Sequence, residues 1–237
     1  VREISDVYAF GTKDGGYQVV MGNDTNIARN YFGGIAGYIT GTGRGLYGEN
    51  LSVTGRTYTG GLAGYLNGGV DDTVKTDEAE YQAVNVTVRG YSGAGGAFGY
   101  VRQAANARVI GGKVTSVTAN AGGVIGNTYT TVRYCEAYDT SVTATEDSAG
   151  GIVGYSSWGN IYYSKAGGVQ VKAVNHAGGI LGSGYGLLQG CAVSGGSSGN
   201  SGNSSVQAQT DYAGGIAGRM YQSVNSGSTT HLRYTAV

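Results

Sequence analysis

Short apolar segments separated by glycine, asparagine and serine recur along the whole chain. The repeating unit is plainest from Gly150 to Ala177, where it holds three such segments, GGIVGYSS, IYYSKAGG and VQVKAV. Each segment is too short for a helix and contains β-branched residues, and in the last one apolar and polar residues alternate. The pattern therefore predicts three short strands in each unit.

The unit repeats because a block of two glycines, two apolar residues and a third glycine begins at seven positions. Successive blocks are 27, 35, 27, 28, 28 and 36 residues apart, which indicates a period of 27–28 with two insertions. A period of this length is typical of solenoids. The apolar residue two places after the first glycine is predicted to lie in the core. The residues at this position are Ile35, Leu62, Ala97, Val124, Ile152, Ile180 and Ile216.

These patterns predict an all-β fold, a right-handed parallel β-helix (solenoid). It would have about 8 coils of 27–28 residues with three short strands per coil. The handedness follows the general rule for parallel crossovers. Residues 1–237 would form a single β-helical repeat domain. Because Ile4, Val7 and Ala9 match the middle of a unit, we expect the domain to be a fragment of a longer chain.

The glycine pairs have a structural and a functional interpretation. Glycine pairs can cradle phosphate, but no Gly-x-x-x-x-Gly-Lys pattern or helix start accompanies them. We therefore predict a structural role, in which glycine takes a positive φ at a corner or leaves room between crowded coils. The pairs are Gly33, Gly34, Gly60, Gly61, Gly95, Gly96, Gly122, Gly123, Gly150, Gly151, Gly178, Gly179, Gly214 and Gly215.

The two insertions differ in composition. Residues 70–85 form an acidic loop, and residues 194–205 are almost wholly glycine, serine and asparagine. Insertions in a solenoid project from its corners, and both are predicted to leave the same edge. The acidic loop is a weak candidate for a calcium site, because carboxylates at close spacing suit that ion. It lacks the Asp-x-Asp-x-Asp-Gly motif, however. It is therefore interpreted as a solvated loop, and no metal site is predicted. The candidate ligands are Asp71, Asp72, Asp77 and Glu78.

Charge and hydropathy narrow the classes of partner. Fifteen basic and fifteen acidic residues leave no net charge, which removes the usual argument for nucleic acid. No apolar run approaches the roughly 18 residues of a membrane span, so none is expected in this segment. No cofactor is expected either. The expected partners are the remainder of its own polypeptide and a host or microbial glycan or protein.

The two cysteines share one position of the repeat. Cys135 and Cys191 lie two units apart, with Ser164 between them at the equivalent place. Stacked positions two coils apart are roughly 9–10 Å distant, beyond the roughly 7 Å that a disulfide spans between Cα atoms. Two free, inward-facing thiols are predicted.

Tyrosines also recur at fixed positions. Four of them, Tyr38, Tyr65, Tyr100 and Tyr155, directly follow the third glycine of a block, and others precede the block by two residues. Stacked rings form either a structural ladder or a surface that contacts carbohydrate or protein. In the second interpretation, Trp158 and Tyr155 form the anchor. The preceding tyrosines are Tyr31, Tyr58 and Tyr212.

The repeat resembles a known family. The sequence Gly-Gly-Ile-Val-Gly-Tyr at residues 150–155, followed by Ile161, Ser164 and Ala166, is similar to GLUG-motif repeats. The resemblance implies a β-helical, non-catalytic module in bacterial surface or secreted proteins, such as adhesins and immunoglobulin A metallopeptidases. It therefore implies an extracellular or cell-surface location, and a spacer or adhesive role.

An enzymatic function would need a cluster of metal-binding or acid–base side chains, and the sequence contains few residues that could form one. The two histidines, His176 and His231, are 55 residues apart and cannot form the paired zinc ligands of a peptidase helix. Any peptidase site would lie in another part of the parent protein. The alternative is a polysaccharide-binding or polysaccharide-cleaving β-helix, for which Glu136, Asp139 and Lys165 come nearest to a catalytic cluster.

Overall fold

Strands account for all the regular secondary structure of the described chain. The computed structural model describes residues 4–12, 17–20, 31–68, 79–102, 104–195, 202–221, 232–233 and 237. These residues form β-strands and no helix, so none of them belongs to a helix that could cross a bilayer. The all-β prediction is confirmed.

The described residues form 32 short strands. In chain order they are β1 (Ile4–Phe10), β2 (Tyr17–Val20), β3 (Tyr31–Gly33), β4 (Ala36–Glu49), β5 (Leu51–Thr54), β6 (Tyr58–Gly60), β7 (Ala63–Gly68), β8 (Tyr81–Val84), β9 (Thr87–Gly90), β10 (Gly93–Gly95), β11 (Phe98–Val101), β12 (Ala104–Ala105), β13 (Ala107–Ile110), β14 (Lys113–Ser116), β15 (Asn120–Gly122), β16 (Ile125–Thr128), β17 (Val132–Arg133), β18 (Glu136–Tyr138), β19 (Ser141–Ala144), β20 (Ser148–Gly150), β21 (Val153–Ser156), β22 (Ile161–Tyr162), β23 (Lys165–Gly167), β24 (Gln170–Ala173), β25 (His176–Gly178), β26 (Leu181–Gly184), β27 (Leu188–Gln189), β28 (Ala192–Ser194), β29 (Ser205–Ala208), β30 (Tyr212–Gly214), β31 (Ala217–Met220) and β32 (Leu232–Arg233).

Equivalent strands of successive coils pair in parallel and form five ladders. Along one coil the chain passes through ladders 1 to 5 in turn. The strand β4 is long enough to belong to two ladders and joins them into one sheet of 13 strands. The ladders are ladder 1 (β3, β6, β10, β15, β20, β25, β30), ladder 2 (β4, β7, β11, β16, β21, β26, β31), ladder 3 (β12, β17, β22, β27, β32), ladder 4 (β1, β4, β8, β13, β18, β23, β28) and ladder 5 (β2, β5, β9, β14, β19, β24, β29).

A full coil contains five strands, so the prediction of three was wrong. In the coil of Gly150 the chain passes from β20 through β21, β22 and β23 to β24. A bend at residues 151–152 divides the first apolar segment, and a bend at Tyr163, whose φ is 51°, divides the second. The apolar pattern continues through both bends because the side chains on either side still face the core.

Two corners of the coil use left-handed backbone, but neither is the corner of the glycine pairs. Asparagine, aspartate and glycine adopt this conformation more readily than other residues. The left-handed residues are Asn50, Asn85, Gly111, Asp139 and Gly168 between ladders 4 and 5, and Asp6, Gly45, Asn106, Tyr134, Tyr163 and Gly190 at the corner that precedes the core-facing positions of ladder 4. Gly184 and Gly186, at the end of β26 and just after it, also have positive φ, of 151° and 110°.

The glycine blocks lie where neighbouring backbone leaves no room for a side chain. A Cβ atom on Gly151 would lie 2.0 Å from the carbonyl oxygen of Gly179 in the next coil. A Cβ on Gly150 would lie 1.9 Å from the carbonyl oxygen of Val153, and one on Gly154 would lie 2.6 Å from that of Gly126. Of the two structural reasons expected for these glycines, close approach applies here and positive φ does not.

The described strands on either side of the two insertions belong to different pairs of ladders, so the expectation of a shared edge was wrong; residues 69–78 and 196–201 themselves lie outside the described residues. The strand before the first insertion is β7 of ladder 2, and the last part of the insertion contains β8, a regular strand of ladder 4. Residues 194–205 fall between ladder 4 and ladder 5. The repeat pattern did not reveal β8 as a strand. Its large, fully buried Tyr81 occupies the position that Cys135 and Ser164 fill in other coils.

The core lies inside the ring of ladders. Neighbouring core positions compensate for each other's size. The small Ala97 is followed by the large Phe98, and both are fully buried. The Phe98 ring packs edge-on against Tyr81, with 5.0 Å between ring centroids. Such complementary sizes keep a stacked interior densely filled.

The cysteines face this core. Register places Cys135, Ser164 and Cys191 in successive coils of ladder 4, and both cysteines are free and buried, as predicted. The hydroxyl of Ser164 accepts a hydrogen bond of 3.2 Å from the Cys135 backbone N–H. Burial raises the pKa of the Cys135 thiol to about 12 and also raises the pKa of Cys191.

Both thiols should resist alkylation while the protein is folded. The thiolate is the reactive form, and burial both blocks reagents and disfavours ionisation at Cys135 and Cys191. At pH 8 we expect almost no labelling by iodoacetamide in native buffer and two labels per chain in guanidinium chloride, counted by mass spectrometry. Rapid native labelling, or fewer than two labels after denaturation without reductant, would contradict this placement.

Candidate functional site

Two columns of outward-facing residues meet where ladder 1 adjoins ladder 2, and together they are called the aromatic strip. The strip runs along the stack from coil to coil. Its ladder 1 column is Tyr31, Tyr58, Gly93, Asn120, Ser148, His176 and Tyr212. Its ladder 2 column is Tyr38, Tyr65, Tyr100, Asn127, Tyr155, Ser183 and Arg219.

Tyrosine rings stack upon one another at the first end of the strip. Tyr38 and Tyr65 are 4.6 Å apart between centroids with 13° between their planes, and Tyr65 and Tyr100 are 4.8 Å apart with 7°. The two columns also touch, since Tyr31 and Tyr38 have centroids 5.0 Å apart. Sequence reasoning aligned these tyrosines, and the register brings Tyr38, Tyr65 and Tyr100 together as one continuous apolar surface.

The hydroxyls of Tyr58, Tyr65 and Tyr100 are neutral hydrogen-bonding groups. Burial, followed by the neighbouring Tyr65 and Tyr58, raises the pKa of Tyr100 to about 12. Burial likewise raises the pKa of Tyr58 and Tyr65. Half-buried rings with protonated hydroxyls combine an apolar face with a donor at the rim.

Polar residues continue the strip beyond Tyr100. The Asn120 side-chain amide donates a hydrogen bond of 2.8 Å to the Asn127 carbonyl oxygen, which links the two columns. Tyr155 follows in the next coil and is half-buried, and burial raises its pKa. The strip thus places amide and hydroxyl groups between two aromatic ends.

The buried His176 lies among polar side chains at the second end of the strip. Its Nδ1 atom lies 3.2 Å from the Ser148 hydroxyl and 3.4 Å from an Asp147 carboxylate oxygen. Its Nε2 atom lies 3.4 Å from an Arg219 guanidinium nitrogen and 3.9 Å from an Asp211 carboxylate oxygen. Sequence reasoning named His176 only as an unpaired zinc ligand and missed this cluster, although Ser148 and His176 share one position of the repeat.

The serine, histidine and aspartate of this cluster do not form a catalytic relay. In a relay the serine and the aspartate occupy opposite nitrogens of the imidazole ring. Here Ser148 and Asp147 both face Nδ1 of His176, and Asp211 on the Nε2 side lies 3.9 Å away, beyond hydrogen-bond distance. The Ser148 hydroxyl is fully buried and lies 2.8 Å from the Ser183 hydroxyl, so it is not presented to a substrate. The cluster instead fixes the positions of these buried polar members of the strip.

An exposed aromatic group extends this end. Trp158 is 57% exposed and stacks on Tyr185 at 5.4 Å between centroids, with 17° between the planes. Tyr185 in turn packs against Tyr221 at 5.2 Å, and the Arg219 guanidinium lies 4.7 Å from the Tyr221 ring centroid. The sequence singled out Trp158 with Tyr155, but it missed Tyr185, which directly follows β26 instead of occupying the tyrosine position of the block.

The charged residues that the sequence suggested as catalytic or calcium-binding candidates are not part of the aromatic strip. Glu136, on the outer face of ladder 4, forms an ion pair of 2.7 Å with Arg108 and aligns with Lys165 in the next coil. Asp139 lies at the corner that follows, at a φ of 50°. The candidate calcium ligands of the acidic loop fall outside the described residues. Within the part of the chain that the structure describes, no group of three or more His, Cys, Asp or Glu side chains is placed to hold a metal ion.

A pocket of about 400 Å³ lies at the corner between ladder 5 and ladder 1. The sequence pattern did not predict it, because its residues come from three different coils. Its lining residues are Thr54, Gly55, Arg56, Arg89, Gly90, Tyr91 and Val117.

Comparison with known proteins places this chain by its fold. No family model matches the sequence, and no curated protein matches it. It is similar to the crystal structure of a "putative immunoglobulin A1 protease from Bacteroides ovatus", with a TM-score of 0.52 and 16% sequence identity. The match covers 98% of this chain and 67% of that one. At this identity the likeness concerns the all-β, solenoid-like fold, and the resemblance to GLUG repeats stays a prediction from the sequence.

Proposed function

We propose that this chain is a non-catalytic adhesive module of a bacterial surface or secreted protein, located outside the cell. It is built as a right-handed parallel β-helix of about eight coils. Its binding surface is the aromatic strip, and its ligand is an extended glycan. The solenoid fold shared with a protein described as a protease supports a scaffold that accompanies an activity located in another part of the parent polypeptide.

The observation that carries this proposal is the continuity of the strip. The partly exposed rings of Tyr38, Tyr65 and Tyr100 follow one another through successive coils, and the column continues through the buried Asn127 to the partly exposed Tyr155. A stack of parallel coils thereby repeats a binding element at each coil, which suits a polymer lying along the solenoid axis. Aromatic surfaces with a few fixed polar groups are typical of ligand sites.

The polar geometry supports binding without cleavage. Glycoside hydrolysis uses two carboxyl groups on either side of the scissile bond. In the strip the two aspartates near His176 lie against its ring nitrogens, and Glu136 is paired with Arg108 on a different ladder. The arrangement favours recognition over acid and base chemistry.

Replacing a ring of the strip should weaken glycan binding. We expect Tyr65→Ala to reduce affinity by about tenfold or more, because it removes the ring between Tyr38 and Tyr100. Trp158→Ala should also reduce affinity, since it removes the most exposed ring of the second end. Isothermal titration against xylan, laminarin and mucin would measure both effects.

A matched control separates the strip from the surface in general. Tyr8 is 63% exposed on the outer face of ladder 4, so Tyr8→Ala should leave binding unchanged. Tyr65→Phe keeps the ring and should retain most of the affinity. If Tyr65→Ala and Trp158→Ala both bind every ligand as the unaltered protein does, the strip is a structural ladder only.

A further inference from the structure

The pocket between ladder 5 and ladder 1 is lined by two arginines and a tyrosine. Arg56 lies in the bend between β5 and β6, Arg89 lies in β9, and Tyr91 directly follows β9. The Arg56 guanidinium carbon lies 5.9 Å from the centroid of the Tyr91 ring. Tyr91 is 47% exposed, so its ring presents a free area at the pocket. Cationic and aromatic groups therefore face the same space.

Among the residues that the structure describes, no carboxylate forms an ion pair with Arg89. It is exposed, and it aligns across ladder 5 with Thr54 and Thr115. The ion pairs formed among the described residues do not include it. An unpaired guanidinium at a pocket is available for a bidentate pair with an anion from a ligand.

The outer face of ladder 5 strengthens this positive potential. Its described outward residues carry hydroxyl, amide and cationic groups, and no carboxylate. From β5 to β29 they are Ser52, Thr54, Thr87, Arg89, Lys113, Thr115, Ser141, Thr143, Gln170, Lys172, Ser205 and Gln207. A surface with charges of one sign attracts ligands of the opposite sign.

The pocket adjoins the aromatic strip. Arg56 precedes Tyr58 of the strip by two residues, and Tyr91 precedes Gly93 by two residues. Two residues of extended chain span roughly 7 Å. A polymer lying on the strip can therefore place a substituent in the pocket without leaving the tyrosine surface.

We propose that this pocket binds the carboxylate of an acidic sugar, so that the ligand of the module is a carboxylated glycan. The inference rests on the proposed function and names its ligand class. Arg89 supplies the bidentate donor for the carboxylate, and the Tyr91 ring packs against the sugar. Both uronate-containing polymers and terminal sialic acid present this chemistry.

Two pairs of ligands test the proposal. Polygalacturonate is compared with its methyl-esterified form, and sialyllactose with lactose, by isothermal titration of the full chain. We expect the acidic member of at least one pair to bind at least about tenfold tighter than its neutral partner. The pair that shows the preference identifies the source of the carboxylate. Equal binding within both pairs, or no binding of either acidic ligand, would overturn the proposal.

Arginine variants assign the preference to the pocket. Arg89→Gln should abolish it, and Arg89→Lys should retain part of it because the charge stays and the bidentate fork is lost. Lys172→Gln is the matched control, since Lys172 occupies the same column three coils away, roughly 14 Å distant, and should leave the preference unchanged. Equal losses in Arg89→Gln and Lys172→Gln would indicate general charge attraction and contradict a built site.

The failure of this inference is distinguishable from failure of the proposed function. If neutral glycans bind and remain sensitive to Tyr65→Ala while Arg89→Gln changes nothing, the pocket is not the carboxylate site and the strip remains the binding surface. Because Arg89 is exposed, thermal unfolding of Arg89→Gln should match that of the unaltered protein.

Discussion

Replacing Gly151 with alanine is expected to lower the free energy of unfolding by about 3 kcal/mol or more. The added Cβ would lie 2.0 Å from the Gly179 carbonyl oxygen, which belongs to the backbone of the next coil. Backbone within a stack cannot move aside without shifting the strands that pair with it. Thermal and guanidinium unfolding, followed by circular dichroism, would measure the loss.

The control is a glycine with space around it. A Cβ on the exposed Gly195 would find its nearest atom at 3.9 Å, so Gly195→Ala should change stability by less than about 0.5 kcal/mol. Gly123→Ala should behave like Gly151→Ala, because its Cβ would also lie 2.0 Å from a carbonyl oxygen of the following coil. Similar stability of all three variants would show that coil spacing does not exclude side chains at the block.

Truncation of Phe98 should be the most damaging change in the core. Phe98 is fully buried, aligns with Ala63 and Ile125 in ladder 2, and follows the small Ala97. Ala63 and Ala97 beside it are too small to fill much of the space that its ring leaves. We expect Phe98→Ala to cost about 3–5 kcal/mol, measured by chemical unfolding.

Two comparisons make this result specific. Phe98→Leu retains most of the volume and should cost less than half as much. Phe10 is 62% exposed, so Phe10→Ala should cost under about 1 kcal/mol. A Phe98→Ala variant as stable as Phe10→Ala would contradict the packing of the interior.

Repetition within the chain is what made the architecture predictable. A block that recurs at nearly constant spacing must occupy the same place in each coil, and the parallel register of Gly122, Gly150 and Gly178 bears this out. The same logic placed Cys135 and Cys191 correctly, since both are read from one position of the repeat. Stacking contacts between equivalent positions require no knowledge of the path between them.

The path within a coil was harder to predict. Strand number depends on where the chain bends, and bends at Tyr163 and at the glycine pair leave the apolar pattern uninterrupted. The first insertion was expected to leave the same edge as the second because β8 was not recognised as a strand, since Tyr81 stands where other coils have a small residue. Periodicity therefore reports which residues are equivalent better than it reports how each unit folds.

In the candidate site, too, contacts between equivalent repeat positions were predictable, and contacts between different positions were not. Tyr38, Tyr65 and Tyr100 were predictable as a stacked column because they share one place in the repeat. The pairing of Trp158 with Tyr185 and the convergence of Arg56 and Arg89 involve different positions in different coils. Such contacts arise at corners, where the register between units and the geometry of the bend act together.

Saturation-transfer NMR tests most directly whether the aromatic strip binds glycans without cleaving them. Irradiation of the aromatic protons should transfer magnetisation to the sugar protons of at least one ligand among xylan, laminarin, mucin and polygalacturonate. We expect the transfer to be lost when Tyr65→Ala and Trp158→Ala are combined, and the bound glycan to keep its length through prolonged incubation. Absence of transfer to all four glycans, unchanged transfer in the double variant, or shortening of the bound glycan would contradict the account.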